Sequence, residues 1–545
     1  MRFRPCGMAI VIGGVLLVPA PSTAAETPPA EVQASKRVLT KKHQTPAARR
    51  KAAAAHRVTV RVLDRNGLRP ATGKAPYFGL FDLETGGQEV GHLVDGTGTM
   101  EIPAGSYRVG ARVITPEPGR PKATAAVVSP RMDVTADATV VLDARTTREV
   151  RVSLDDKDAT MDLGDAIVAV TTRGEYQAYM LDLADGAYVT PGAGTPLHVQ
   201  STWKRPGHRY HLLNSVVGGV PERPEFRVRT RDLAAVRTKH AVPGAEACAG
   251  LVMGPEVQGL PFILSYGTVL GRVPGVHTLH VTPGNTVWKH EAAIGGPDCS
   301  LNPAEFQMGT ERFPRRGKRA RTWPAAPLTP TLWTWDAGTL VPGVQRTGDR
   351  LAVEVSLFSN GRPGYRGPLE DPITGETTLE KDGAVLGTSP YPGYGEFEVP
   401  SGPGRFRLRT TAARSVGWST LGTRAEAEWT FDSAADSAPV IMTVGYDAGL
   451  DDHSRAPAGR EHRVRAHIQT PPGVRPGRIE RFGAEVSYDD GKSWRPAAAR
   501  AEGGRWVIGL AHPADAEHVS LRTTVRDASG NEVRQTTIRA YALHR

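Results

Sequence analysis

The stretch Ala484-Glu-Val-Ser-Tyr-Asp-Asp-Gly-Lys-Ser-Trp494 constrains the fold more than any other. An apolar run is interrupted by Asp489, Asp490 and Gly491, then resumes at Trp494. Short acceptor side chains can take the backbone N–H groups of a tight turn, and glycine reaches positive φ at low cost. The pattern predicts a β-hairpin. Gly530-Asn531, set between two Thr/Val/Ile runs, repeats it, and so does Asp382-Gly383 within residues 377–386. Further strands are expected at 58–63, 166–171, 224–230, 276–281, 351–357, 397–408, 426–431, 441–444, 462–468 and 506–510. With 60 Gly and 44 Pro in 545 residues, short strands joined by turns account for the composition better than long helices. The expected class is all-β, several β-sandwich modules in tandem, of transthyretin-like and immunoglobulin/fibronectin-III-like type.

The N-terminus reads as an export signal. Arg2 and Arg4 precede an apolar run over residues 8–18, and small residues near Ala24 and Ala25 offer a cleavage point. Cys6 lies before the apolar run, which argues against a lipid anchor at the cleavage point. No later segment is long and apolar enough to span a bilayer as a helix. The expected location is extracellular. Without Cys6 the chain keeps Cys248 and Cys299, and an exported pair favours a disulfide; two separate buried thiols are the alternative. Two cysteines without histidine partners are too few for structural zinc.

Residues 1–56 hold nine Lys/Arg and two Asp/Glu, a net +7 of the whole chain's +10, which leaves about +3 for the remainder. The basic balance thus belongs to a tail, and a nucleic-acid-binding fold is not implied. Residues 26–56 are too polar to order themselves and read as a flexible linker, or as an electrostatic tether to anionic cell-wall polymer.

The expected organisation is a leader over 1–25, the basic linker over 26–56, a sandwich over 57–155, a β-rich unit of undefined type over 160–325, a sandwich over 326–436 and an immunoglobulin-like sandwich over 437–545. Val58-Thr-Val-Arg-Val-Leu-Asp64 and Ile102-Pro-Ala-Gly-Ser-Tyr107 carry a resemblance over residues 57–145. This stretch resembles the carboxypeptidase-regulatory or transthyretin-like sandwich, an accessory module in most contexts.

Several groups carry side chains suited to chemistry. Asp155, Asp156, Asp158, Asp162 and Asp165 lack the alternation and central glycine of a calcium loop, so a solvated connection is expected. His208/His211 and His277/His280 have the look of metal pairs, but residues i and i+3 of a strand face opposite ways, so each pair should diverge. Arg312, Arg315, Arg316, Lys318, Arg319 and Arg321 could serve a polyanion; with Pro314, Gly317 and Pro324 among them they read as an exposed linker. Trp333 and Trp335 share a strand face and read as core, with a sugar platform as the alternative.

Ser487, Asp489, Gly491 and Trp494 match the Asp-box pattern at every defined position. In sialidase-type propellers that motif staples hairpins away from the active site. One copy, with no blade-length repeat, points to a single stapled hairpin rather than a glycosidase.

Residues 379–387, 404–411, 427–433, 446–453 and 486–495 through Tyr541 resemble the C-terminal accessory region of secreted subtilisin-like serine peptidases of actinobacteria. The resemblance covers about 345–545 and implies β domains that accompany a catalytic domain. The catalytic motifs are not found: Asp95-Gly-Thr97 has the wrong order, no His-Gly-Thr occurs, and Gly387-Thr-Ser389 runs into Pro390-Tyr-Pro392, which cannot open the helix such a nucleophile needs. No Gly-x-Ser-x-Gly elbow is present either. The expected function is non-catalytic binding, to a cell-envelope polymer or a secreted protein partner, with no catalytic residue, cofactor or metal assigned. The alternative is an extracellular hydrolase with its site in 166–325, drawing on His208, His211, His290 or Asp298 near Cys248 and Cys299.

Overall fold

The structure is a computed structural model that describes residues 9–12, 55–71, 73–171, 176–260, 262–299, 304–323, 326–336, 339–361, 365–367, 373–435 and 437–545. The leader apart from 9–12, and the basic tract up to residue 54, lie outside the described residues. The chain is all-β: strands form β-sandwich modules in tandem, with two 3-10 turns of three residues each among the described residues. No helix among the described residues is long and apolar enough to cross a membrane.

The first sandwich packs the three strands Thr97–Pro103, Ala55–Leu63 and Ala138–Asp143 on a larger sheet centred on Gly105–Ile114. Alternation in Ala55–Leu63 buries Val58, Val60 and Val62 completely. The Pro103–Gly105 turn delivers Tyr107 to the core, where its hydroxyl donates to Pro103 O at 2.8 Å. The larger sheet is extended by Ala187–Val189, which pairs parallel with Thr124–Val128.

The middle sandwich consists of two sheets. One runs Tyr176–Asp182, Thr160–Thr171, Leu197–Arg205, His208–Val216, Gly275–Val281, Ala234–His240, Gly317–Trp323. The other is built on Ile263–Arg272, Cys248–Pro255, Val287–Gly295 and Ala304–Arg312, with Ala9–Ile12 paired antiparallel to its Ile263 edge. Leu251, Met253, Leu279, Trp288 and Phe313 fill the space between them. Another apolar cluster joins Phe81, Ala126 and Val128 of the first sandwich to Val168, Val170, Tyr179 and Leu181. These sandwiches are therefore fused through packed side chains.

The remaining strands form a single core from Leu332 to Leu543 that includes Phe406, Trp429, Phe431, Val444 and Tyr541. Strand Arg424–Ser433 pairs antiparallel with the last strand, Glu532–His544, from Arg424↔Ile538 to Thr430↔Glu532. The sheet thus continues across residue 436. Buried Gln535 locks the arrangement: its amide donates to Val444 O at 2.8 Å, and its carbonyl accepts from Val444 N–H and the Thr443 hydroxyl, each at 2.8 Å.

Candidate functional site

Cys248 opens the strand Cys248–Pro255 of the middle sandwich and Cys299 lies in the turn after Val287–Gly295. The two are joined in a disulfide with Cα atoms 5.0 Å apart. Asp298 beside it is exposed.

The hairpin at 487–494 is stapled by side chains. The Gly491 N–H donates to Ser487 Oγ at 2.8 Å, the Ser487 hydroxyl donates to Asp489 Oδ1 at 2.7 Å, and the Ser493 N–H donates to the same oxygen at 2.9 Å. These bonds, led by the Ser493 hydroxyl, hold the Asp489 carboxyl far below the usual carboxylate range. Gly491 has φ 84°, and Trp494 Nε1 donates to its carbonyl at 3.1 Å, while Arg522 stacks 3.9 Å over the indole. Asp490 takes a bidentate pair from Arg539 at 2.9 and 2.7 Å, tying the turn to the last strand. Every interaction is internal to the hairpin or its support.

The acidic group does not converge. Asp155 accepts from Thr230 N–H at 2.8 Å, Asp156 from Arg205 at 2.6 Å and from the Tyr210 hydroxyl, and Asp162 pairs with Lys204. Asp162 and Asp165 lie within strand Thr160–Thr171, so the expected connection shortens to 155–159. Asp165 is half-buried against the Tyr266 hydroxyl, and desolvation pushes its carboxyl up to about 6. No group of three or more His, Cys, Asp or Glu among the described residues could hold a metal ion.

Within each strand the histidine pairs diverge, as alternation requires, but they reconverge across strands. His208 and His280 meet on the outer face through His208 Nδ1 and His280 Nε2, 2.9 Å apart. His280 also stacks on Tyr210 with centroids 4.5 Å apart. On the inner face His240 and His277 sit edge-to-face with centroids 5.4 Å apart, and His211 meets Trp288 in the same way at 6.5 Å. His240, His277 and His290 line a cavity of about 20 Å³ with Arg209, Arg321 and Trp323. Both His240 ring nitrogens are buried and have no hydrogen-bond partner among the described residues. Burial pushes His211, His240 and His290 down to about 3, so all three are neutral.

The structure separates the residues named for a hydrolase, and His290 also lines a larger space of about 170 Å³ with Ser265, Lys289 and Glu291. His208 faces outward, His211 and His290 face inward, and Asp298 is on an exposed turn. A space of about 20 Å³ admits only a water-sized species. Among its lining residues there is no carboxylate to orient a base.

Trp333 is buried at 3 % exposure, in the core as expected. The exposed aromatic pair is elsewhere: Tyr391 is 62 % and Tyr394 48 % exposed, with Val385 at 60 % nearby in sequence. Their turn is pinned from below. The buried Thr377 hydroxyl donates to Tyr391 O at 2.9 Å, and the Gly393 N–H donates to Thr377 and Thr410 Oγ1 at 2.7 and 2.8 Å. Gly393 has φ 72°, and a Cβ there would lie 1.8 Å from Val355 O, so only glycine fits. Pro390-Tyr-Pro-Gly-Tyr394 carried this signal in the sequence: turn formers alternating with rings push the rings outward.

The Arg312–Arg321 run is not a linker. Ala304–Arg312 crosses through a turn at 313–316 into strand Gly317–Trp323, which pairs parallel with Ala234–His240. Pro314 and Gly317 bound the crossing, while buried Phe313 anchors it by accepting Gly284 N–H at 2.7 Å.

No protein-family model matches the chain, and no curated protein matches it. Among solved structures, a Salmonella alpha-2-macroglobulin reacted with methylamine is similar at 11 % identity over 90 % of this chain and 40 % of that one, with a TM-score of 0.18. A three-domain segment of titin is similar at 11 % identity over 58 % and 98 % of the two chains, with a TM-score of 0.13. An adhesin-type protein from Bacteroides ovatus gives 9 % identity over 47 % and 82 %, with a TM-score of 0.14. The chain spans less than two thirds of the macroglobulin's length. At these scores the likenesses carry no argument; the chain's own strands establish an all-β protein of tandem sandwiches.

Proposed function

We propose that this chain is an exported, non-catalytic binding protein whose fused sandwiches hold contact surfaces in fixed positions. Its work in this reading is attachment to a cell-envelope polymer or a secreted protein partner. The observation that carries the reading is the Tyr391–Tyr394 turn. Two exposed rings on a backbone fixed by buried threonines lose little freedom on contact, and tyrosine combines an apolar ring with a polar tip. Such rings dominate binding where they occur at interfaces. The likeness of 345–545 to peptidase accessory domains adds a separately encoded subtilisin-like peptidase to the secreted partners worth testing.

The test is co-sedimentation of the purified chain with isolated cell-envelope polymer, together with titration against such a peptidase. One of the two should bind, and Y391A/Y394A should weaken that binding at least about tenfold without altering the far-UV spectrum. Unchanged binding by the double variant would remove the reading. So would turnover by the pure protein in a hydrolase panel.

A further inference from the structure

The crossing strand at the edge of the middle sandwich supplies a second surface, independent of the tyrosines. Arg312, Arg315, Arg316, Lys318 and Arg237 are exposed and make no ion pair among the described residues. Alternation and register place Lys318 and Ala320 on the face that Arg237 occupies, because Ala320 pairs with Arg237 across the parallel ladder. The two remaining cations of the run are held in place. Arg319 and Arg321 share Glu311 at 3.2 and 3.0 Å, and Arg321 Nε donates to Thr238 Oγ1 at 3.0 Å. One carboxylate thus serves two guanidinium groups, and the ridge keeps a strong positive excess although the chain beyond residue 56 is nearly balanced.

We infer that this ridge binds an extended polyanion, a polymer carrying phosphate or carboxylate groups at short regular intervals. Four features favour side-chain capture of a non-peptide polymer. The cations run from the end of Ala304–Arg312 through the turn into Gly317–Trp323, with Arg237 on the neighbouring strand, so they form a ridge rather than a pocket. Arginine forks fit phosphate and carboxylate oxygens in pairs. Phe313 and Glu311 fix the ridge before anything binds. Edge lysine and arginine also obstruct strand addition, which disfavours an acidic peptide hydrogen-bonded along the free backbone edge.

The test uses the full chain with Lys36, Arg37, Lys41, Lys42, Arg49, Arg50 and Lys51 changed to glutamine, so that the tail cannot substitute for the ridge. Fluorescence anisotropy would follow binding to labelled inorganic polyphosphate and to polygalacturonate over a salt series. Binding to either supports the inference and identifies the anion. Adding R315E/R316E/K318E should then weaken binding at least about tenfold and flatten the log–log salt slope by about 2 to 3. Retained affinity and slope in that variant would overturn it, as would failure of the tail-neutral chain to bind either polymer. Tighter binding of poly-glutamate than of both polymers would overturn it in favour of strand addition. Y391A/Y394A should leave polyanion binding unchanged, so this inference and the proposed function stand or fall separately.

Discussion

His208 Nδ1 lies 2.9 Å from His280 Nε2, and the two rings are nearly coplanar, 17° apart. One ring must donate and the other accept, so the pair is joined by a single shared proton. The separation in sequence is 72 residues, and the contact exists because His208–Val216 runs parallel to Gly275–Val281. Behind the same strands, on the inner face, His211, His240 and His290 are buried.

That buried layer predicts acid sensitivity. His211, His240 and His290 sit near 3 in the folded chain against about 6.5 unfolded, with burial as the main cause. His277 and Arg321 face His240, Arg321 faces His290, and Arg209 faces His211; each cation adds to the depression. A base whose folded value is lowered stabilises fully above the unfolded value and loses that contribution as pH falls. Each histidine should therefore remove about 1.4 kcal/mol per pH unit below about 6.5. Asp165, raised to about 6, works in the opposite sense between about 3.9 and 6, but it is one group against three. Thermal melts from neutral to mildly acid pH should show a steep fall beginning near 6.5, and a flat profile down to pH 5 would contradict the buried neutral histidines.

The disulfide closes a sequence separation of 51 residues. In the chain-entropy account a loop of that size stabilises by about 4 kcal/mol. C248S/C299S should lower the denaturant midpoint of the middle sandwich, and a reductant should shift the parent to the same midpoint while leaving the variant unmoved.

Gln535 is the only described side chain that bonds both the N–H and the C=O of Val444. Gln535→Leu keeps apolar bulk but strands both groups in the core, at a cost of about 2–5 kcal/mol. Hydrogen exchange should show residues 424–433 and 443–447 losing protection together. Loss confined to one strand would mean that the shared core is not cooperative.

The stapled hairpin predicts a local effect. Asp489→Ala removes the acceptor for Ser493 and Ser487, so urea should expose residues 484–502 earlier than in the parent, while the first sandwich keeps its midpoint. Ser487→Ala should behave in the same way, because Gly491 N–H loses its acceptor. A chain with both substitutions and an unaltered exchange pattern would show the staple to be idle.

Turn chemistry is local, and it made the hairpins readable. Asp382, Gly383, Asp490, Gly491 and Gly530 all have the positive φ that their residue types suggested. Sheet continuation was not readable, because pairing of Arg424–Ser433 with Glu532–His544 depends on register across about a hundred residues. The same limit hid the histidine contacts: alternation separates His208 from His211 correctly, but nothing within either strand indicates that His280 arrives from another. The basic run differs from expectation for a related reason. Proline and glycine there bound the turn of a crossing between sheets and do not mark a linker. The tyrosine pair is visible as residue types, but its exposure depends on Thr377 and Thr410 arriving beneath the turn from other strands.

The pairing of Glu532–His544 with Arg424–Ser433 also bears on assembly during synthesis. Residues 373–433 would emerge from a ribosome with one sheet margin bare, about a hundred residues before its mate exists. Until residue 532 is made, both parts of the shared core are incomplete, and the bare margin is open to other strands. A protein built this way gains from being held extended until it is whole.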